Sequence, residues 1–290
     1  MTSAWGEQPV GIVGLGLIGG SLGLDLRAQG LEVRALVHRE ATAERARERG
    51  LADAVATDPA VLKGCGLIVL ALPLDRLLGP DPALRAALPA EAVVTDVGSV
   101  KQPVLERWGR WHPRFVASHP MAGTAQAGVE AGLEGLFTGR PWVATPASAP
   151  LPATDPAALD LVQQLAQAVG AHWLTCDAAA HDQAVALISH MPVLVSAALL
   201  QAADRGGAEA GAQELVRQLA SSGFADTSRI GGGNPELGTL MAVSNRAAVL
   251  QGLAQYRRQL EALETLVQRE NWTALHAELS RCQALRPEFL

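Results

Sequence analysis

The sequence predicts an α/β chain, in which a doubly wound, mostly parallel sheet is followed by a mostly helical C-terminal domain. Two patterns carry this expectation. In the first half, short apolar runs alternate with helical stretches, the signature of parallel strands covered on both faces. After about residue 178 the strand-like runs stop and long Ala/Leu-rich helical patterns take over.

The strand-like runs are Val10 to Val13, Leu31 to Val37, Leu67 to Leu72, Ala92 to Val97, Phe115 to Ser118 and Trp142 to Thr145. A Pro/Ala-rich stretch, Pro146 to Pro156, reads as a connection, Pro156 to Val169 as a helix and Ala171 to Thr175 as one more strand. The expected division is therefore 1–177 for the sheet domain and 178–290 for the helical one. Within the latter, helices are expected over Asp182 to Ala203, Glu209 to Ser221, Pro235 to Arg269 and Trp272 to Ala284, with a glycine break at Gly231 to Gly233.

Composition narrows the function classes. The chain has 290 residues, 49% of them hydrophobic, so a sizeable core and two domains are expected. A net charge of −6 with no clustered basic surface argues against nucleic acid as a partner. Cys65, Cys176 and Cys282 are odd in number, widely spaced and without a CxxC pair, which fits a reducing compartment and neither a disulfide framework nor a metal site. Met1 to Gln8 lacks a basic region followed by an apolar core, and no uninterrupted apolar stretch reaches membrane-spanning length. A cytoplasmic protein with no membrane partner is expected.

The most informative local signal is Gly11-Ile-Val-Gly-Leu-Gly-Leu-Ile-Gly-Gly-Ser-Leu22, a GxGxxG placed directly after a strand and before an apolar helix. In a Rossmann-type fold Gly14 makes the tight turn, Gly16 admits a pyrophosphate against the backbone, and Gly19 lets the helix pack on the sheet. Leu17 and Ile18 open that helix, whose N-terminal amides and dipole favour an anion. At the end of the next strand, where an NAD site carries an acidic residue, stand His38 and Arg39. A guanidinium there pairs with the 2′-phosphate of NADP, and Thr42 can add a hydroxyl contact. Glu40 is the counterweight, since a shift of register would turn the reading to NAD. Of the two lysines, Lys63 and Lys101, the second lies beside a motif and is taken as a further cofactor contact.

Two motifs follow later strands: Asp96-Val-Gly-Ser-Val-Lys101 and Ser118-His-Pro-Met-Ala-Gly123. With Gly223-Phe-Ala-Asp-Thr-Ser-Arg-Ile230, Leu133 to Phe137, His181-Asp182 and Ser189-His-Met-Pro192, the chain resembles the arogenate/prephenate dehydrogenase family over nearly its whole length. The resemblance implies oxidative decarboxylation of a cyclohexadienol: hydride leaves the carbon bearing the hydroxyl, carbon dioxide departs, and a phenol forms. It also implies a homodimer, in keeping with helices whose apolar faces exceed what one small bundle can cover.

Residue chemistry fits that implication. His119 has the pKa of a general base for the hydroxyl proton, the role that the family's matching histidine plays. Ser99 can hold both hydroxyl and imidazole, or simply cap the helix expected over Val100 to Trp108. Arg229 resembles the family arginine that binds a substrate carboxylate. His190 either touches substrate or sits satisfied in the core, and its nine-residue spacing from His181 does not suit a metal. Where the family often has a histidine, this chain has Val193. Glu236 is the candidate partner for the ammonium of arogenate, or else an acid stabilising a helix start. The segment His119 to Gln126 looks more like that of arogenate-specific relatives, so arogenate with NADP is the expected substrate pair. Prephenate with either cofactor is the alternative, and a catalytically silent NADP sensor stands as the rival from another class. A hydroxyacid or imine reductase would require a lysine after Lys101, and there is none.

Overall fold

The structure, a computed structural model, describes residues 7–124 and 126–289. Most of the Met1 to Gln8 stretch, and Ala125 in the segment compared with arogenate-specific relatives, lie outside the described residues.

The sheet has eight strands in the order β3-β2-β1-β4-β5-β6-β7-β8. They are β1 (Val10–Val13), β2 (Val33–Leu36), β3 (Ala54–Ala56), β4 (Leu67–Leu70), β5 (Val93–Asp96), β6 (Phe115–Pro120), β7 (Pro141–Thr145) and β8 (His172–Thr175). Among the described residues, only β6 and β7 pair antiparallel. The expected Rossmann-type α/β architecture with a helical C-terminal domain is what the chain forms. The continuous apolar runs behave as a doubly covered sheet requires. Val10, Ile12, Leu67 and Val69 pack into one core layer, while Val13, Ile68 and Leu70 pack into the other.

The covering helices of this half are α1 (Leu17–Ala28), α2 (Glu40–Glu48), α3 (Leu74–Leu78), α4 (Pro82–Ala87), α5 (Gln102–Trp108) and α6 (Pro156–Ala168). A strand of three residues, Ala54–Ala56, is too short to show a period in the sequence and is not among the expected runs. The expected sixth strand ends at Ser118. Pairing of His119 with Val143 and of Pro120 with Trp142 carries that strand two residues further.

The helical part holds α7 (Ala178–Val185), a π-helical turn at Ala186–His190, α8 (Met191–Glu209), α9 (Gln213–Leu219), α10 (Ser222–Ser228), α11 (Pro235–Ser244), α12 (Arg246–Gln268) and α13 (Trp272–Leu285). Three expectations are corrected. The helix expected over Pro235 to Arg269 is two helices, broken at Asn245, whose φ of −122° and ψ of 34° leave the helical region. The segment Glu209 to Ser221 contains only the short α9, and α10 was not foreseen. Finally, Ala178–Glu209 forms one rod of 32 residues that is long and apolar enough to cross a membrane, contrary to the expected absence of such a stretch. Its apolar character comes from alanine together with Leu187, Ile188, Val193, Leu194, Val195, Leu199 and Leu200, and only 22% of its most apolar window is buried in one chain.

Candidate active site

The strand order reverses between β1 and β4, and in an open α/β sheet ligands bind beyond the carboxyl ends of the strands at that point. The glycine loop sits there. Gly14 has a φ of +94°, and a Cβ on it would lie 2.4 Å from the carbonyl oxygen of Ala71. A Cβ on Gly19 would lie 2.0 Å from the oxygen of Gly14, so this glycine lets helix and turn touch. Around Gly16, by contrast, a Cβ would meet nothing within 4 Å. The open side of the turn is therefore where another group can approach the backbone. Gly16 caps α1 without a side-chain bond, and the first-turn amides, including those of Leu17 and Ile18, have no acceptor inside the helix. This cradle fits a dinucleotide pyrophosphate.

His38 and Arg39 are exposed after β2, Arg39 occupying the N-cap of α2, and Thr42 is half-buried in the first turn. Glu40, the residue that would favour NAD, is paired with Arg47 at 3.0 Å.

Lys101 is not a cofactor contact of the kind expected. Its side chain is fully buried and pairs with Asp96, while Nζ donates to the Ser118 carbonyl oxygen at 2.6 Å. The Asp96 carboxylate also accepts from the Gly98 and Ser118 amides at 2.8 and 3.1 Å. Burial pushes the Asp96 carboxyl up and the Lys101 ammonium down, and their contact opposes both shifts. The pair joins the turn that carries Ser99 to the strand that carries His119.

His119 is half-buried at the end of β6. Its Nδ1 lies 3.0 Å from His181 Nε2, and His181 Nδ1 lies 2.8 Å from Asp182 Oδ1. The two rings meet edge to face, with centroids 5.2 Å apart. Burial, with the neighbouring Lys101, His181 and His190, holds the His119 imidazole well below its ordinary value of 6.5, so it is neutral and able to accept a proton at neutral pH.

Ser99 Oγ is buried with no partner among the described residues, so the alternative that it caps the following helix does not hold. That cap comes from the helical domain: Asp182 Oδ1 accepts from the Lys101 amide at 2.7 Å, and Oδ2 from the Gln102 amide at 2.9 Å. The Ser99 hydroxyl is left available at the carboxyl end of β5.

His190 is buried, its Nδ1 3.2 Å from Asn245 Nδ2, while its Nε2 has no partner among the described residues. It is thus half satisfied by the core. Burial pushes its pKa down to about 4. Val193 faces an apolar groove of about 520 Å³ between α8, α11 and α12, which His119 and Ser99 do not line. Arg229 is exposed at the C-cap of α10. Glu236 is exposed in the first turn of α11, behind an Asn234 side-chain cap, which matches the helix-start alternative and not a buried carboxylate. Sequence reasoning gave no role to His181, Asp182 or Asn245. The first two stood in a quoted motif, but nothing in one dimension shows that they reach β6 and α5.

A glycine cradle and a half-buried imidazole on one edge of a parallel sheet, with a helical domain reaching over that edge, form the layout of a two-domain nicotinamide-dependent dehydrogenase. Comparison with known proteins places the chain within that class. The family described as "Prephenate dehydrogenase, nucleotide-binding domain" matches residues 22–175, and "Prephenate dehydrogenase, dimerization domain" matches residues 177–281. The chain belongs to the prephenate dehydrogenase family. It is 28% identical over 267 residues to the prephenate dehydrogenase of Bacillus subtilis, covering 90% of this chain and 70% of that one. The crystal structure of Synechocystis arogenate dehydrogenase matches with a TM-score of 0.80 and 40% identity, over 97% of this chain and 100% of the other. The prephenate dehydrogenase of A. aeolicus, in complex with hydroxyphenyl propionate and NAD+, matches at 0.84 and 25%, over 99% and 100%. The nucleotide-binding match begins at Leu22, past the glycine loop, so the cradle is argued from its own geometry.

Proposed function

We propose that the protein catalyses the oxidative decarboxylation of arogenate to tyrosine with NADP. The observation that carries the reading is the neutral His119 imidazole beside the strand whose carboxyl end presents the unpartnered Ser99 hydroxyl, on the same sheet edge as the glycine cradle. The cradle residues Gly14, Gly16, Leu17, Ile18 and Gly19 would hold the pyrophosphate, and His38, Arg39 and Thr42 the adenosine end. When bound, the nicotinamide supplies the hydride acceptor.

The protein's own groups do the rest. His119 Nε2 accepts the substrate hydroxyl proton as hydride leaves the same carbon, which lowers the barrier to forming the carbonyl-like centre. Ser99 Oγ holds that hydroxyl in line, and a bidentate Arg229 binds a substrate carboxylate. His190 offers Nε2 to the substrate from the helical side.

Three observations support the finer choices. Glu40 is engaged by Arg47, leaving Arg39 as the group able to meet a 2′-phosphate. A 40% identical structure is that of an arogenate dehydrogenase. Val193 stands where the family often has a histidine. We also take the unit to be a cytoplasmic homodimer divided at Asp177. Steady-state assays with both substrates and both cofactors test the reading. Arogenate should exceed prephenate in kcat/KM by roughly a hundredfold, about 2.7 kcal/mol. Equal rates would remove the substrate assignment, and no turnover with any pair would remove the activity.

A further inference from the structure

The chain Asp182–His181–His119 has a direction that its surroundings impose. Both Asp182 oxygens already accept backbone protons, from the Lys101 and Gln102 amides, so the side chain is a fixed acceptor. The nitrogen facing it, His181 Nδ1, must therefore carry the proton in the bond at 2.8 Å. In a neutral ring that leaves His181 Nε2 as a lone pair. Its 3.0 Å contact with His119 Nδ1 is then a bond in which His119 donates. With its proton on Nδ1, His119 presents a lone pair on Nε2. The arrangement sets which nitrogen of His119 can act as a base.

We propose that His181 is a positioning residue for the reaction, holding His119 in the Nδ1–H form and taking up part of the charge when His119 Nε2 becomes protonated. The inference rests on the proposed role of His119 as proton acceptor. The proton balance is simple. One proton moves from the substrate hydroxyl to His119 Nε2, and the resulting imidazolium keeps its Nδ1–H directed at the His181 lone pair. No further acceptor is required. Around His119, the facing charged or titratable groups are Lys101 on the β5 side, itself paired with Asp96, and His181 and His190 from the helical side. Among these, His181 is the one whose lone pair meets the ring. Because Asp182 also caps α5 just beyond Ser99, the two groups that handle the substrate hydroxyl share one anchor in the helical domain.

Two variants separate this role from packing. His181→Gln keeps an oxygen acceptor for His119 Nδ1–H, whereas His181→Leu keeps bulk and removes the acceptor. In His181→Leu, kcat should fall about tenfold to a hundredfold with KM within threefold. The acid limb of its kcat/KM profile should move away from the wild-type position, because His119 has lost both the acceptor for its Nδ1–H and a titratable neighbour. His181→Gln should recover most of the rate and return the limb toward the wild-type position. Nitrogen-15 shifts of the His119 ring in cofactor-free protein give a reading independent of turnover: Nδ1–H in the wild type and the Gln variant, and a shift toward Nε2–H in the Leu variant. A wild-type ring already in the Nε2–H form would overturn the inference whether or not the protein is active. So would equal rate losses in both variants with an unmoved acid limb, which would assign His181 to packing alone. Absence of wild-type turnover with any substrate pair would instead overturn the proposed function, leaving the ring tautomer to decide the positioning role.

Discussion

At the scale of single residues the site separates groups that act from groups that hold. His119 is the acting base in our reading, so His119→Asn should keep the fold and cofactor binding while lowering turnover by roughly two to four orders of magnitude, measured by steady-state rates and cofactor titration. Its depressed pKa has a further sign: the acid limb of wild-type kcat/KM should lie below pH 6.5, because the base loses activity only when the ring itself is protonated. Arg39 carries the cofactor choice. Arg39→Ala should raise the KM for NADP by roughly tenfold to a hundredfold, the scale of one charge-assisted contact, and leave that for NAD nearly unchanged. Equal losses with both cofactors would show that Arg39 supports the loop and does not read a phosphate. Lys101 illustrates the other group. As one of only two lysines, and the one beside a motif, it looks in the sequence like a ligand contact, yet its ammonium is enclosed with Asp96 and Ser118, a partnership that depends on the spatial meeting of β5 and β6.

At the scale of elements, the glycine turn between β1 and α1 permits a prediction that separates fold from function. Gly16 has open space where a Cβ would go and a φ of −79°, which any residue adopts, so Gly16→Ala should melt within a few degrees of the wild type. The added methyl should nonetheless raise the cofactor KM at least about tenfold, since it stands where phosphate approaches the backbone. Gly19→Ala should instead lower the melting temperature itself, because its Cβ would collide with the Gly14 carbonyl. This turn was legible in the sequence because its determinants are local: a strand, three glycines at fixed spacing and a helix. The period-2 and period-3.6 patterns made most of the sheet legible for the same reason. What stayed hidden depends on contacts distant in sequence. The break at Asn245 is held by a side chain that donates to the Asp182 carbonyl 63 residues away, and the cap of α5 is supplied by Asp182 from 80 residues away. A helical period running through Pro235 to Arg269 contains neither contact, and so it reads as one helix. Glu236 failed as a buried partner on similar grounds. Its acidic character was visible, but its exposure at the start of α11 was not.

At the scale of the whole molecule, two properties follow from how the halves are covered. His190 is buried, and its pKa in the folded chain, about 4, lies below the ordinary value of 6.5. Above pH 6.5 both folded and unfolded chains leave it neutral. As pH falls from there to about 4 the unfolded chain takes the proton first, so stability contributed by this group, on the order of 3 kcal/mol in all, is lost across that window. Urea titrations of the wild type and His190→Gln should show the variant with a shallower decline between pH 6.5 and 4, and parallel declines would remove His190 as the cause. The second property concerns association. The two core clusters draw on residues from Val10 to Ala178, whereas all but two of the exposed large hydrophobic residues lie beyond that point. Among them Leu187, Val243, Leu250, Leu260 and Trp272 are distributed over the π-turn, α11, α12 and α13, and Val243 and Leu250 also line the apolar groove beside α8. Contiguous apolar faces left in water mark an association surface, and covering them contributes roughly 25 cal/mol for each Å² of apolar surface. A second copy laid over them supplies that cover, and a match to a dimerization domain over residues 177–281 supports that occupant. The protein should therefore sediment as a dimer at micromolar concentration, and its melting temperature should rise with protein concentration because dissociation accompanies unfolding. Leu250→Glu, placing a charge on that face, should shift the equilibrium to monomer and lower the melting temperature with it. A fully active wild-type monomer, with a melting temperature independent of concentration, would show that these helices close on themselves in solution.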